Sequence, residues 1–388
     1  MATLETRPEH FQLGRVCAAG HSEGPGGARE VFDRPEVDVA VLETARGGLL
    51  LRGLGYESNE ASILTNVSSD HMDLQGVHTL PELAEVKAVI CRVTKPDGWV
   101  VLNADDRWVS SVARSVRGRV AFFTLQGGRS RRVARHVAAG GHAVFVRDGV
   151  MGEAHGPDDW RPIVPIAEVP ITVGGAARHN VANVLAAAAG ARAMGASIED
   201  VRRGLLDFDA GAATSPGRMN VFRRGPRVVI VDFAHNEAGL AALLDVAHAI
   251  ARGLRRETRA APEVAAAVGT AGDRPDDTLR GMGAIAASRV DRLVLKETIK
   301  YLRGRSRASV IDELRTGAAR GGARGRLDVY EGEAAALTGE LDRDPGRPQV
   351  LVILSHAERD DLFALLAGRG FEPVASADAL AALTAATG

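Results

Sequence analysis

The sequence predicts two consecutive α/β domains. The chain has 388 residues, more than one ordinary domain needs. Short β-branched runs alternate with stretches rich in alanine and leucine, a pattern typical of parallel sheets covered by helices. Residues 209–216 are small and polar, as linkers often are, and strand patterns resume after them. We therefore expect a first domain over residues 1–213 and a second over residues 214–388.

The predicted elements of the first domain follow this alternation. A helix is predicted at residues 80–93, with Pro81 well placed in its first turn. Residues 140–149 predict a small antiparallel hairpin, and residues 157–170 a connector. A long, buried, alanine-rich helix is predicted at residues 180–195 and a shorter one at residues 198–206. The predicted strands are 37–42, 61–66, 99–103 and 121–124.

The second domain begins with a buried strand at residues 228–232. Helical stretches separate it from further strands, which predicts a Rossmann-like α/β domain. These strands are 264–268, 292–295, 327–330 and 349–354.

Composition narrows the classes of partner. The 48 basic and 49 acidic residues give a formal net charge of −1. No overall basic surplus favours a nucleic acid or an anionic membrane, although a local patch is compatible with this balance. The excess of arginine over lysine is typical of a GC-rich genome. Two cysteines form no disulfide framework, and we find neither an apolar signal core nor an apolar run of the ~18 residues that a membrane span needs. A cytoplasmic location is expected.

Two strand ends carry candidate metal ligands. Glu43 ends a predicted strand and is followed by glycines, at the edge where parallel sheets bind ligands. A carboxylate there suits Mg²⁺; the alternative is a helix cap or an ion-pair partner. Within the polar residues 65–73, His71 is a candidate metal ligand with Asp70 or Asp73 behind it. The alternative is a capped loop in which Asp70 is the N-cap of a short turn.

Lys87 lies on the helix predicted just downstream. Helical lysines are usually solvated, but the neighbours at residues 86, 88 and 89 are apolar, which favours an inward side chain. A partly desolvated lysine has a lowered pKa. It can then take up carbon dioxide as a carbamate, which is an anionic metal ligand.

Taken together, these segments resemble the central domain of Mur ligases. Residues 174–183 are similar to the family's His-Asn-x-x-Asn segment, and residues 216–220 and 232–236 to the start of its C-terminal domain. Residues 272–274 and 302–305 also fit. Within the family, the Glu-Thr-Ala-Arg-Gly-Gly and Arg-Gly-Arg elements point to the Mur-ligase-like part of cyanophycin synthetases. The central-domain resemblance rests on residues 43–48, 65–66, 70–71, Lys87 and residues 102–106.

The resemblance implies an ATP-dependent amide-bond ligase that works through an acyl phosphate, adding arginine to a poly-aspartate backbone. It implies Mg²⁺ held by Glu43 and His71, and a second Mg²⁺ held by Lys87 if that lysine is carbamylated. His235 lies in a strand-end loop of the same site, where the alternative is an ordinary loop histidine with its hydrogen bonds satisfied. The resemblance also implies that the nucleotide is contacted by Asn180, Asn183, Arg218 and Asp232.

One motif of the family is absent from the sequence. Mur ligases cradle phosphates in a glycine-rich loop with Lys-Thr or Lys-Ser, but no such loop occurs here and the first lysine is Lys87. Residues 24–29 are glycine-rich, but we expect no apolar strand before them, and they resemble a segment that lies beyond the phosphate loop. We therefore expect an incomplete central domain, without its first strand and phosphate loop, and a chain that is inactive by itself.

Two classes of function stay open at this point. One is part of an enzyme whose phosphate loop is encoded elsewhere; the other is a non-catalytic descendant that binds a nucleotide or a protein. Within the enzyme class, the alternative is a peptidoglycan-precursor or folate-polyglutamate ligase. The expected small-molecule partners are an amino acid and a carboxylate acceptor. The expected protein partner is a second copy of the chain or a complementing N-terminal chain. No nucleic acid or membrane is expected to bind.

Overall fold

The computed structural model describes residues 17–22, 25–68, 76–208 and 210–384. Contacts divide the chain into one unit of Met1–Pro165 with Ala182–Leu205 and a second of Ile166–Val181 with Leu206–Gly388. Both units contain sheets dominated by parallel strands, as the predicted α/β class requires. Among the described residues, no helix is long and apolar enough to cross a membrane.

The first unit is built on a six-stranded sheet and a separate parallel pair, β1–β2. The order β3-β4-β5-β6-β7-β8 is parallel from β3 to β6 and antiparallel from β6 to β8. An antiparallel hairpin is therefore present as predicted, but it extends to His155 rather than ending at residue 149, and the segment predicted as a connector contains β8. Its elements are β1 Cys17–Ser22, α1 Pro25–Phe32, β2 Val39–Thr44, α2 Arg46–Arg52, β3 Asn59–Leu64, α3 Leu80–Lys87, α4 Val89–Arg92, β4 Thr94–Asn103, α5 Arg107–Ser111, β5 Arg119–Thr124, α6 Arg131–Ala138, β6 His142–Arg147, β7 Val150–His155, β8 Trp160–Pro165, α7 Arg178–Ala193 and α8 Ile198–Leu206.

The helix predicted at residues 80–93 begins where expected but is interrupted. Thr79 and Glu82 form a capping box, with Pro81 in the first turn, so the first backbone N–H groups find acceptors. The chain leaves regular helix at Ala88 and continues as α4. Leu83 of α3 shares one buried cluster with Val109 of α5 and Val133 of α6, so these three helices cover the same face of the sheet.

One strand of the N-terminal region was not predicted from the sequence. This strand, β1, pairs in parallel with β2 over six residue pairs, and α1 begins at Pro25. The β1 sequence is Cys-Ala-Ala-Gly-His-Ser. Small and polar residues dominate it, so it lacks the branched apolar pattern by which a strand is recognised.

The second unit contains a seven-stranded sheet of order β13-β12-β11-β14-β10-β9-β15. Strands β13 to β10 are parallel, as predicted, whereas β9 and β15 add an antiparallel edge that was not predicted. Its elements are β9 Asn220–Arg224, β10 Arg227–Asp232, α9 Glu237–Thr258, β11 Glu263–Val268, α10 Asp276–Arg289, β12 Arg292–Lys296, α11 Arg307–Arg320, β13 Val329–Tyr330, α12 Glu333–Arg343, β14 Gln349–Leu354, α13 Arg359–Gly368, β15 Glu372–Val374 and α14 Ala377–Thr384.

Helices cover both faces of this sheet. One buried cluster joins α9, α10, α11 and α14 to one face, and a second joins α12 and α13 to the other. Because both faces are covered, β11 and β14 are buried along their whole length, as expected of central parallel strands. The carboxyl ends of β10 and β14, which pair in parallel, lie at one edge.

Candidate active site

Side chains that follow β4 tie together the carboxyl ends of three neighbouring strands. Asn103 Nδ2 donates to the carbonyl of Thr65 after β3, at 2.8 Å, and Asp106 Oδ2 accepts from the backbone N–H of Val67 at 2.7 Å. Asp105 accepts hydrogen bonds of 2.5 and 2.6 Å from the end of β5 and the residue after it. The predicted motif at residues 102–106 therefore shapes the carboxyl edge of this sheet, which is the edge where parallel sheets generally bind ligands.

Lys87 reaches the same edge. It is the last residue of α3, is partly buried, and its Nζ donates to the carbonyl of Asn66 at 3.0 Å. Glu43 is exposed near the carboxyl end of β2. His71, Asp70 and Asp73 lie outside the described residues, so the shared Glu43–His71 metal site stays a prediction.

The described residues contain one group with metal-ligand composition, formed by His142, Glu153 and His155. Oε2 of Glu153 lies 3.3 Å from Nε2 of His142, and Oε1 lies 3.6 Å from Nε2 of His155. Arg192, however, donates to both carboxylate oxygens at 2.9 Å. The two imidazole rings are stacked 3.9 Å apart and nearly parallel, so their in-plane lone pairs do not converge on one point. We interpret the group as a buried ion-pair network.

In the second unit, Asp232 is the last residue of β10. Its two oxygens accept from the backbone N–H groups of Met219, at 2.8 Å, and Ala234, at 2.7 Å. Burial raises the pKa of Asp232, and these hydrogen bonds together with the charge of Arg218 oppose that rise. Asp232 therefore fixes the turn after β10, and the guanidinium of Arg218 lies 5.3 Å from the Phe233 ring centroid.

A cleft of about 610 Å³ opens beside this turn. It is lined by residues that directly follow β10 and β14, among others, and its rim carries groups of both charges. Nδ1 of His235, close by, lies 3.1 Å from the carbonyl of Phe233, and Asn236 caps α9 by accepting from the N–H of Gly239. The charged residues of the cleft are Arg218, Lys300, Glu358, Arg359, Asp360 and Asp361.

The wall of the cleft at residues 356–358 is held from behind by one carboxylate. Glu333 accepts backbone N–H groups of all three residues, at 2.7, 3.1 and 3.0 Å. Lys296 Nζ lies 2.7 Å from Oε1 of Glu333 and 3.1 Å from Nδ1 of His356. Lys296 and Glu333 are 37 residues apart, and sequence reasoning missed both because neither belongs to a recognisable motif.

The remaining predicted residues lie on α7. Asn180 is buried and its Nδ2 donates to the carbonyl of Ile171 at 2.9 Å, whereas Asn183 is exposed. Burial lowers the pKa of His179, while the charge of Asp232 opposes the shift. The first residues of α7, up to Val181, belong to the second unit. This unit thus brings Asp232, Arg218 and the His179–Asn180 pair to neighbouring positions.

Comparison with known proteins decides the family. Residues 28–191 match the Mur ligase middle domain, and residues 217–356 match the Mur ligase, glutamate ligase domain. The chain belongs to the Mur ligase family. The chain is 35% identical to cyanophycin synthetase from Nostoc sp. over 345 residues, which is 89% of this chain and 37% of that protein. It is 33% identical to the UDP-N-acetylmuramoyl-L-alanyl-D-glutamate--2,6-diaminopimelate ligase of Alkalilimnicola ehrlichii over 319 residues, 81% of this chain and 55% of that one.

Solved Mur-type structures share the fold. A bifunctional folylpolyglutamate synthase/dihydrofolate synthase with Mn, AMPPNP and L-glutamate bound matches with a TM-score of 0.58 and 20% identity, over 88% of this chain and 70% of that one. The corresponding enzyme from Yersinia pestis matches with a TM-score of 0.56 and 19% identity, over 88% and 69%. The chain spans little more than a third of the length of the cyanophycin synthetases that it matches.

Proposed function

We propose that this Mur ligase chain carries the amide-bond-forming part of a cyanophycin-synthetase-type ligase, which joins arginine to a poly-aspartate backbone at the expense of ATP. The observation that carries the proposal is the cleft of the second unit, whose rim holds cations and carboxylates together. The 35% identity with the Nostoc cyanophycin synthetase, across 89% of this chain, supports the same conclusion.

The charges of the cleft suit an amino acid that is charged at both ends. Asp361 is exposed and has no ion-pair partner among the residues that the structure describes, so its carboxylate is available for a guanidinium. Lys300 offers a cation for an α-carboxylate. Arginine complements this arrangement, whereas glutamate would bring a second carboxylate towards Glu358, Asp360 and Asp361.

The reaction proceeds in two balanced steps. A carboxylate oxygen of the acceptor attacks the γ-phosphorus of ATP, and ADP leaves. The amine of arginine then attacks the acyl carbon, and a proton of the amine and inorganic phosphate leave as the amide forms. The protein positions the reactants and stabilises charge: Asp232 and Arg218 would orient the nucleotide, Asn180 would lie near its base, and His235 would act from the loop after β10.

Magnesium fits the donor set at the strand ends of the first unit. Glu43 is exposed near the carboxyl end of a parallel strand. Its carboxylate provides the oxygen ligands that Mg²⁺ prefers. Glu43 and His71 would hold the ion, which neutralises phosphate charge when bound. Lys87 binds a backbone carbonyl as a donor; in the carbamylated form it would supply an anionic ligand instead.

No glycine-rich Lys-Thr or Lys-Ser loop occurs in residues 1–388, so we propose that these residues alone do not complete phosphoryl transfer.

The proposed arginine ligase activity is tested in a chimera in which this chain replaces the matching segment of the Nostoc cyanophycin synthetase. Poly-aspartate, ATP and Mg²⁺ are supplied with arginine, lysine, glutamate or diaminopimelate, and mass spectrometry identifies the product.

We expect arginine to be incorporated with the highest kcat/KM, and Asp361→Asn to raise the KM for arginine at least tenfold with a smaller change in kcat. Preference for diaminopimelate or glutamate would overturn the arginine assignment in favour of another Mur-type ligase. A chimera that is folded but forms no amide with any of the four amino acids would favour a non-catalytic descendant.

A further inference from the structure

One segment of the first unit is strongly basic and contains no acidic residue. Between residues 107 and 147 the sequence has no aspartate, glutamate or lysine, although the whole chain has a net charge of −1. Every arginine of this segment is exposed. The nine are Arg107, Arg114, Arg117, Arg119, Arg129, Arg131, Arg132, Arg135 and Arg147.

The fold sorts these arginines between two edges of the sheet. Five of them follow or end the neighbouring parallel strands β4, β5 and β6 at their carboxyl ends. The turn at Gly127–Arg129 lies against the end of β6, since a Cβ on Gly127 would come within 2.7 Å of the Val146 carbonyl. We call these five residues the arginine edge: Arg107, Arg129, Arg131, Arg132 and Arg147.

The arginine edge is not neutralised by acidic side chains in the part of the chain that the structure describes. Among the described residues, none of its guanidinium groups forms an ion pair with a carboxylate. Arg107 and Arg147 lie over the rings of Trp108 and Trp160, at 4.3 and 4.5 Å from the centroids.

Helix stability does not explain the arginine edge either. Residues 131 and 132 begin α6, where the helix dipole favours acidic rather than basic side chains. The positive charge at the start of α6 therefore does not stabilise the helix.

We propose that the arginine edge binds an acidic polypeptide, and, resting on the proposed function, that this polypeptide is the poly-aspartate acceptor. Guanidinium groups bind carboxylates through two parallel hydrogen bonds, which lysine cannot do. Side chains on one face of an extended polypeptide recur about every 7 Å, and the ends of β4 and β6, two strand spacings of ~4.8 Å apart, span about 10 Å. One acidic strand can therefore meet several of the five arginines.

The aromatic groups on this edge favour a polypeptide over single-stranded nucleic acid. Binding of bases without sequence preference relies on exposed aromatic faces for stacking. Here Arg107 and Arg147 cover the rings of the two tryptophans. The edge also adjoins the site residues: Arg107 directly follows Asp106, whose carboxylate holds the loop after β3. An acceptor held there would lie along the same carboxyl edge as Asn66 and Lys87.

The binding test needs no catalysis and uses the 388-residue chain. Fluorescence anisotropy measures the affinity for fluorescein-labelled poly-L-aspartate, and for oligo-dT of the same number of charges, at one fixed ionic strength. The edge variant is Arg129→Gln/Arg131→Gln/Arg132→Gln. The control variant, Arg114→Gln/Arg117→Gln/Arg135→Gln, removes the same charge from the segments that end at the opposite edge of the sheet.

We expect the edge variant to bind poly-L-aspartate at least tenfold more weakly, and the control variant to lose less than threefold. Equal losses in both variants would mean attraction by net charge alone and would overturn the proposal. Tighter binding of oligo-dT than of poly-L-aspartate would overturn it in favour of nucleic acid, as would no binding of either polymer. Thermal melting checks that both variants are folded.

The chimera separates this proposal from the proposed function. With a short aspartate acceptor we expect the edge variant to ligate arginine with unchanged kcat, but with poly-aspartate the acceptor KM should rise at least tenfold. Ligation of both acceptors with unchanged KM would overturn the arginine edge and leave the ligase assignment intact.

Discussion

The ammonium of Lys296 lies 2.7 Å from Oε1 of Glu333, and both side chains are buried behind the wall of the cleft. Burial tends to raise the pKa of Glu333, but the Lys296 charge and the backbone N–H groups of the wall lower it by more. Because Glu333 accepts hydrogen bonds from His356, Ala357 and Glu358, this ion pair couples the stability of the second unit to the shape of the cleft.

Glu333→Gln should therefore lower the free energy of unfolding by roughly 3–5 kcal/mol, since it leaves a buried ammonium without its counter-charge. The double variant Lys296→Met/Glu333→Gln removes that charge while keeping an amide oxygen for the wall, and should recover a large part of the loss. Urea denaturation measures both. A double variant no more stable than Glu333→Gln would contradict the role of the charge pair.

Glu153 predicts how the first unit responds to acid. Burial tends to raise the pKa of Glu153, but His142 and Arg192 lower it by more, to about 2. A carboxylate with a depressed pKa stabilises the folded state above its unfolded value, near 4.5, and that contribution disappears as the pH falls towards 2. The wild-type chain should lose stability steeply over this window.

Glu153→Gln should be less stable than wild type at pH 7, and its unfolding free energy should fall less between pH 4.5 and pH 3. Glu60→Gln is the control, because Glu60 pairs with Lys95 on the surface and should contribute under about 1 kcal/mol. Parallel pH profiles for wild type and Glu153→Gln would show that the network does not set the acid response.

Glycines allow α10 and α11 to pack closely. A Cβ on Gly317 would lie 1.9 Å from the carbonyl oxygen of Arg280, and one on Gly283 2.1 Å from that of Leu314. Gly317→Ala should lower the free energy of unfolding by roughly 1–3 kcal/mol, because the helices must separate. Gly204→Ala on α8, where a Cβ meets nothing within 4 Å, should be neutral or stabilising. Equal thermal shifts for the two variants would refute the close packing.

Lys87 is predicted to act at the ligand-binding edge. In the chimera, Lys87→Ala should reduce turnover on the order of 10²–10³-fold, the usual cost of losing one electrostatic group at a site of phosphoryl or acyl transfer. If the lysine works as a carbamate, acetate or formate should restore part of this rate. Lys95→Ala, which removes a surface partner of Glu60, should leave turnover unchanged. Undiminished turnover in Lys87→Ala would mean that Lys87 has no role in the reaction.

Much of the fold follows from local pattern. The strands at β4, β5, β11 and β14 and the helices α7 and α8 were predicted because their apolar residues recur with the right period or form short branched runs. The strand β1 was missed because its residues are small, and β9 and β15 because antiparallel edge strands depend on pairing that sequence period does not reveal.

The site was predictable only where a motif marks it. Asp232 and Lys87 stand in family motifs, and the structure gives each a defined hydrogen-bond partner. Lys296, Glu333 and Arg192 act through partners 37 to 39 residues away. Such pairs arise from the topology of the sheet, so the local spacing of residues in the sequence does not predict them.

The central claim is tested most directly by ATP-dependent incorporation of labelled arginine into poly-aspartate, measured for the chimera, for the chimera with Asp232→Asn, and for the 388-residue chain alone. We predict incorporation that requires ATP in the chimera, a loss of at least 10²-fold with Asp232→Asn because the turn after β10 loses its anionic acceptor, and none above background for the chain alone. A folded chimera without incorporation, or full activity in the Asp232→Asn variant, would contradict the account.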